Sequence, residues 1–466
     1  MSAPDLTTEI MNRFRGAGIE THSTILLGAG ASVSSGLPNW DTFAIRLLLQ
    51  SGSIADSKTA QLLLNHQDPT MVVEAARAAF GERWEKGLRK ALYQDVPTLE
   101  PSPLHLAALN HYLTGDCLDT TLVTLNFDTL IEQAYYEETS ESLTSHSDGM
   151  ANDKNKAVHH LHGVISPTSS QDVVLTLTDF YGLITESDPW QLRLLQLAVS
   201  RGALIIAGTS YRDPDLRQWL HIVLRGKPAN HAALVILARE SFSLSRSEFH
   251  QVQQALLDQW VAIGLEPILL QDHADAAQII KELRFLHRAD YLSPQERSLS
   301  IWDAHADSFD QLQQEYSDQL GLDASLLQDL LMAEKLNLSL WLSNARGSLV
   351  RWASQDRIYR DVSQLREIET GHDSAWIAGE VLGVEEVLFK DLGVGHKGQW
   401  QSVLALPILA SHPTLPVHVT AVLTVGLPKV RTEFESLQLL WDREARQIAD
   451  TWGTRLSAVA FGDLGN

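Results

Sequence analysis

The first residues able to do chemistry follow a short apolar run. Thr24–Leu27 passes into Gly28-Ala29-Gly30-Ala31-Ser32 and then into a helical pattern. A strand that ends in a glycine-rich turn at a helix start can cradle a phosphate. Glycine lets the backbone approach a diphosphate, and the free amides at the helix start carry the positive end of a dipole. Alone the pattern is unspecific, because a tight strand-to-helix turn without a ligand uses the same residues. Val33 stands where the third glycine of a dinucleotide fingerprint belongs. No strand ending in an acid follows about 20 residues on, where a hydride-transfer enzyme binds the ribose, so hydride transfer is disfavoured. Two further groups stand out. Asn126 and Asp128 end an apolar run, and they suit either a reaction centre or the cap of a helix beginning near Thr129. His159, His160 and His162 follow; a histidine titrates near neutral pH and serves as a base, and a pair can also hold a metal. On a strand His160 and His162 would share one face and His159 the other. Asp213, just before Pro214, is by type a helix N-cap.

The elements that must position these residues alternate. Short apolar runs at Thr24–Leu27, Thr121–Leu125, Val173–Leu177, Ala203–Ala207, Ala233–Ala238 and Pro267–Leu270 read as strands buried on both faces of a parallel sheet. Helical patterns lie between them, around Thr129–Tyr136, Trp190–Ser200, Pro214–Leu224 and Ala274–Leu286. The stretch Asp41 to Leu113 is helical throughout, with Val72, Val73, Ala76, Ala79 and Phe80 in period, and forms an insertion between the first two strands. The expected class is α/β: a Rossmann-like parallel sheet with a helical insertion.

Four short motifs then resemble the signatures of the sirtuin family, in that family's order. They are Gly28-Ala29-Gly30-Ala31-Ser32-Val33-Ser34-Ser35-Gly36-Leu37-Pro38, Thr124-Leu125-Asn126-Phe127-Asp128, His162-Gly163, and Gly208-Thr209-Ser210. The likeness covers roughly residues 20–290. It is closest to the bacterial sirtuin-like branch of anti-phage defence proteins such as the Thoeris effector. That context includes Ser102-Pro103-Leu104-His105, Asp179-Phe180-Tyr181 and Asp213-Pro214-Asp215-Leu216. The resemblance implies NAD as substrate and its hydrolysis to ADP-ribose and nicotinamide. By the same resemblance Asn126 orients the ribose hydroxyls or the attacking water, and His162 is the general base. Asp128 accepts hydrogen bonds from the nicotinamide carboxamide. Gly28, Ala29, Gly30 and Ser32 hold the diphosphate, and Gly208, Thr209, Ser210 and Asp213 line the adenosine side. Asn39 and Trp40 replace the aspartate–phenylalanine pair that follows the proline in deacylating sirtuins. Those enzymes also carry four zinc-binding cysteines between the histidine–glycine and glycine–threonine–serine motifs, where this chain has none. No zinc and no acyl-lysine groove are expected.

After about residue 290 the pattern changes. Arg288–Gln319 is polar and helical and suits a connector. Leu336, Leu338, Leu340 and Leu342 alternate with polar residues apart from Trp341, as in a half-buried strand, and Ser348–Ala353 can return as its hairpin partner. Ser402–Ile408 and His418–Leu427 read as strands, and Leu437, Trp441, Ala445, Ile448, Trp452 and Leu456 form one helical stripe. The order resembles a GAF-like α+β sensory domain, carried by Trp400–Ile408 and Val419–Val425. The division is therefore 1–290 for the sirtuin-like domain, 291–324 for a helical connector and 325–466 for the GAF-like domain.

Composition limits the partners. With 36 basic and 58 acidic side chains the net charge is −22, which repels nucleic acid as a general partner. Cys117 is the single cysteine, so no disulfide forms within the chain. No apolar run suits a signal peptide or a membrane span, and a cytoplasmic location is expected. A constantly active NAD hydrolase would harm its own cell. Control by a protein or small-molecule activator through the C-terminal domain, and assembly into a homo-oligomer, are expected. The rivals are a pseudoenzyme that senses NAD or ADP-ribose and a zinc-less NAD-dependent deacylase.

Overall fold

The computed structural model describes residues 6–17, 19–94, 99–115, 119–149, 156–186, 188–209, 213–225, 232–393, 399–435 and 437–462. They form two compact units. One runs from Arg13 to Arg284; the other joins the described residues up to Asn12 to those from Phe285 on.

The first unit contains β1 (Ser23–Leu27), β2 (Thr120–Thr124), β3 (Thr144–His146), β4 (Ala157–His160), β5 (Val164–Ile165), β6 (Ser170–Gln171), β7 (Ala203–Ala207), β8 (Ala233–Ala238) and β9 (Glu266–Leu270). Seven of them make a sheet in the order β3-β4-β2-β1-β7-β8-β9, and β5 and β6 form a separate small hairpin. Every neighbouring pair in the large sheet is parallel. All residues of β1, β7 and β8 are buried, which is why these runs are apolar without alternation. On one face Leu26, Val123, Leu204, Ile206 and Val235 pack with Leu195, Leu220, Trp219 and Trp260 from the covering helices. The chain leaves β1 toward β2 on one side and later returns to β7 on the other. The crevice beyond the carboxyl ends of these strands is where an open α/β sheet holds ligands.

Between β1 and β2 lie helices Trp40–Ser51, Ser57–His66, Pro69–Phe80, Trp84–Tyr93 and Pro103–Thr114. Asn39, Asp56, Asp68 and Ser102 each accept a first-turn amide, and Pro69 and Pro103 occupy early positions where no N–H is needed. Their core of Phe43, Leu47, Val73, Ala76 and Leu88 includes Ile165 and Leu175 from beyond β4.

One expected strand is replaced. Val173–Leu175 has no regular structure, and Leu177 opens a helix, Leu177–Thr185. Thr176 and Asp179 cap that helix reciprocally, each side chain bonding to the other's amide. The run is apolar because Leu175 fills the helical core, not because it pairs in the sheet. Its place in the sheet is taken by β4, whose paired histidines hide its character, with β3 at the edge.

The second unit contains β10 (Asn337–Ser343), β11 (Ser348–Ser354), β12 (Glu367–Glu369), β13 (Leu388–Asp391), β14 (Ser402–Ala410) and β15 (His418–Leu427). They form one antiparallel sheet in the order β12-β11-β10-β15-β14-β13. Leu338, Leu340, Leu342, Leu404, Leu423 and Val425 face Trp441, Trp452 and Leu456 of the closing helix Gln438–Phe461. Trp341, Ala405 and Val422 pack on Val381 of the helix Ile377–Val384. Thus β10 is covered on both faces, which explains the tryptophan that breaks its alternation. Helices Pro294–Asp307 and Phe309–Leu330 also belong to this unit. Ile301, Phe309, Leu312, Tyr316 and Leu320 join its core, so the segment read as a connector carries a narrow apolar stripe among its polar residues. Among the described residues no helix is long and apolar enough to cross a membrane.

Candidate functional site

A cavity of about 470 Å³ opens at the carboxyl ends of β1, β2, β4 and β7. That volume lies in the usual range for small-molecule sites. Its polar lining includes Ser32, Asn126, Asp128, His162, Thr209, Asp213 and Arg217. The opposite wall is apolar, with Leu37, Trp40, Phe43, Phe127, Val174 and Phe180.

Asn126 sits at the turn after β2, 7% exposed. Its Nδ2 donates to Gly28 O at 3.0 Å and to Ser32 Oγ at 2.7 Å. A backbone carbonyl only accepts, so the first bond settles which side of the amide is nitrogen. Both amide hydrogens are used, and Oδ1 is left as an acceptor for whatever enters the cavity. The turn is fixed from beneath, since Asn126 N–H donates to Thr124 Oγ1 at 3.0 Å and the Asn126 carbonyl accepts from His160 Nδ1 at 2.9 Å. Asp128 lines the cavity and also accepts the Leu130 amide at 3.2 Å, so it holds the first amide of the next helix without leaving the site.

His162 follows β4 and is 4% exposed. Its Nε2 donates to Asp213 Oδ2 at 2.5 Å. The ring stacks on Trp219, with centroids 5.8 Å apart, and meets the edge of Phe180 at the same distance. Burial opposes a charge on His162, but the Asp213 carboxylate outweighs it and raises the pKa above the ordinary value. The same histidine holds Asp213 below the ordinary carboxylate value although burial pushes it up.

His160, fully buried, shows a different arrangement. Its Nε2 lies 2.8 Å from Glu132 Oε1 and its Nδ1 2.9 Å from the Asn126 carbonyl. Both partners accept only, so both nitrogens carry hydrogen and the ring is an imidazolium. Neither nitrogen is left for a metal. Burial again opposes the charge, and Glu132 overrides it: His160 is raised from 6.5 and Glu132 lowered from 4.5. The histidine therefore stabilises the fold fully below pH 6.5 and loses its effect as pH rises through its raised value. The glutamate acts fully above pH 4.5 and loses its effect as pH falls through its lowered value. Glu132→Gln keeps the shape and removes the charge. Its melting-temperature deficit against the wild type is expected to be widest between these two pH values and to narrow on either side. A deficit that stays constant from pH 4.5 to 9 in thermal unfolding would show that His160 is uncharged.

The turn residues play two parts. Ala29, Ser32 and Thr209 line the cavity. Gly28 and Gly30 instead press on the turn after β7. A Cβ on Gly28 would meet Gly208 O at 2.7 Å, and one on Gly30 would meet it at 2.9 Å. The Gly30 amide donates to Gly208 O at 2.7 Å, and Gly208 has φ +71. These glycines let two backbone turns touch. Ser210 lies outside the described residues, as does Cys117. Asp213, read as an adenosine-side residue or a cap, is both the N-cap of helix Pro214–Leu224, through Leu216 N–H at 2.8 Å, and the partner of His162. The reading of single residues missed Glu132 and Trp219, which hold His160 and His162 from neighbouring helices, and Arg217, Phe43 and Val174 of the cavity lining.

With this geometry in place, comparison with known proteins adds a family. Residues 120–268 match the family described as SIR2-like domain. The matched stretch contains Asn126, Asp128, His160, His162 and Asp213 and leaves out the Gly28–Pro38 turn. No curated protein matches the chain. Among solved structures, a Sir2 enzyme from work on the mechanism and regulation of that class is 14% identical, with a TM-score of 0.32 over 60% of this chain and 98% of its own. A Sir2 homologue in complex with NAD is 16% identical, with a TM-score of 0.35 over 61% and 96%.

Proposed function

We propose that the chain is an NAD glycohydrolase, cleaving NAD to ADP-ribose and nicotinamide in this cavity. The observation that carries the reading is the presence of Asn126 and His162 in one cavity at the switch point of a parallel sheet. The bond from nicotinamide to ribose breaks with positive charge on the sugar and a neutral leaving group. Such a site needs to hold the ribose, limit competing water and place one nucleophile. Asn126 Oδ1 offers an acceptor for a ribose hydroxyl or the attacking water. His162 is the general base, and Asp128 takes the carboxamide. Ala29 and Ser32 face the diphosphate while Gly28 and Gly30 keep their turn in place, and Gly208, Thr209 and Ser210 belong to the adenosine side of the site, whereas Asp213 is engaged by His162 and the Leu216 amide. The apolar wall of Trp40, Phe43 and Phe127 suits the nicotinamide ring. No cysteine occurs between His162 and Gly208, which argues for hydrolysis over zinc-dependent deacylation. The test is incubation of purified chain with NAD, following free nicotinamide and ADP-ribose by chromatography.

The role we infer is that of a cytoplasmic anti-phage effector, held off at rest and activated through a GAF-like C-terminal domain with assembly of several chains. Support comes from a second unit with its own core and sheet. Moving a population from about 1% to 99% active needs roughly 5.5 kcal/mol of differential binding, more readily supplied by a large interface than by one small contact. A cut near Gln319 would split the helix Phe309–Leu330, so the informative shorter chain is 13–284. This chain is expected to bind NAD and to release nicotinamide at the same rate in infected and uninfected extracts, while the full chain accelerates on infection. Equal acceleration of both chains would remove the control role from the second unit.

A further inference from the structure

We propose that Asp213 is the positioning partner of His162, fixing hydrogen on Nε2 so that Nδ1 is the nitrogen left to take a proton. The consequence for catalysis rests on the hydrolase reading; the tautomer is a property of the chain whatever it cleaves.

A carboxylate accepts and cannot donate, so the 2.5 Å contact of Nε2 with Asp213 Oδ2 places a hydrogen on Nε2. Asp213 is not free to swing away. Its other oxygen accepts the Leu216 amide at 2.8 Å as the cap of helix Pro214–Leu224. The same helix supplies Trp219, whose indole stacks on the imidazole with 27° between planes, and Phe180 closes the edge. Carboxylate and indole therefore come from one rigid element, and the ring can neither flip nor tilt without lifting the helix start. Nδ1 is buried and has no partner among the described residues. In the neutral ring it carries the lone pair, and His162 lines the cavity. A water or ribose hydroxyl that donates to Nδ1 would satisfy this orphaned atom, which is what a general base must be able to do.

The charged groups acting on His162 are Asp213 and, from the first turn of the same helix, Asp215. Asp215 is 1% exposed, and burial raises its pKa to about 6. Near neutral pH both favour the protonated ring, and Asp213, in direct contact, does so most. The arrangement gives a physical sense to Asp213-Pro214-Asp215-Leu216: the first aspartate caps the helix and holds the base, and the proline starts the helix without an unmet amide.

A purely structural cap can be separated from this role, because serine caps helices as well as aspartate does and carries no charge. In the full chain, nitrogen-15 spectra of the imidazole ring, with His162 identified by its loss in His162→Gln, are expected to show the Nε2–H tautomer. Asp213→Ser and Asp213→Asn are expected to lower the His162 pKa and to move the tautomer away from pure Nε2–H, while either residue still caps the helix start. In nicotinamide release, kcat is expected to fall about 10-fold, part of the roughly 10²- to 10⁴-fold that a placed base contributes, while KM stays within about twofold. The rising limb of the pH profile is expected to shift to lower pH, since a base with a lowered pKa is free of its proton sooner. Asp213→Glu, which restores a carboxylate, is expected to recover part of the rate. A wild-type ring carrying hydrogen on Nδ1 in its neutral form overturns the proposal, as does an unchanged tautomer and titration in Asp213→Ser. If the spectra agree but NAD is never cleaved, the hydrolase reading fails and the positioning role stands. If NAD is cleaved and Asp213→Ser leaves kcat and its pH profile unchanged, the positioning role fails and the hydrolase reading stands.

Discussion

Replacing His162 or Asn126 by alanine is expected to lower the release of nicotinamide from NAD at least about 100-fold, the scale of a placed base or orienting group. The two losses should differ in kind. His162→Ala removes the proton acceptor and leaves Asp213 still capping its helix but without its charge partner, so binding of ADP-ribose should persist while the melting temperature falls. Asn126→Ala also removes two donated hydrogen bonds, to Gly28 O and Ser32 Oγ, although the Gly28 carbonyl keeps the Ala31 amide at 3.1 Å. Losing two buried hydrogen bonds costs about 1–3 kcal/mol, so this variant should melt earlier than the wild type. Rates by chromatography, melting curves and ADP-ribose binding by calorimetry together read all three effects. Near-normal turnover by either variant removes the assignment of the site. A wild-type chain that NAD stabilises against heat but never cleaves, under activating conditions, would instead be a sensor of the dinucleotide.

How far the sequence reveals this site depends on whether a residue's task is local. The strand-end motifs are local: β1 and β7 run straight into Gly28 and Gly208, β2 reaches Asn126 after Leu125, and the residues sit where the runs of apolar side chains stop. The partners that tune them are not. Glu132 lies 28 residues from His160 and Asp213 lies 51 from His162, and nothing in either spacing distinguishes a pair from two surface charges. The glycines of the first turn were legible as a need for close approach, but the object approached includes the β7 turn. Burial was likewise easier to read than pairing. Val173–Leu175 is apolar because it fills the helical core, and Trp341 breaks its strand's alternation because a helix covers the second face. In helix Phe309–Leu330 the buried positions are separated by glutamine and aspartate, so its composition resembles a solvated connector while its spacing belongs to a core.

The histidine–glycine pair shows the same division and yields a test of stability. Gly163 has φ +89, in the left-handed region that a side chain disfavours. A Cβ there would lie 2.2 Å from Asp172 O and 2.6 Å from Gln171 O. These are backbone atoms at the end of β6 and just beyond it, and no side-chain rotation can clear them. The neighbouring carbonyl of His162 accepts the Val174 amide at 2.9 Å, so the two strands of chain are tied together at this point. In Gly163→Ala the left-handed conformation costs about 1–2 kcal/mol. The forced contact costs about 1–3 kcal/mol more. The sum of roughly 2–5 kcal/mol corresponds to a melting-temperature loss of about 5–15 °C for a unit of this size. Gly182 provides the control within the same unit. It lies inside helix Leu177–Thr185 and an added Cβ meets nothing within 4 Å, so Gly182→Ala should be neutral or slightly stabilising. Thermal unfolding of the full chain measures both. Because Gly163 carries the backbone that aims His162, residual folded Gly163→Ala should also release nicotinamide more slowly than wild type at a temperature where both are folded. If Gly163→Ala melts within a degree or two of Gly182→Ala, the glycine is not there for want of space, and its place beside the histidine has another cause.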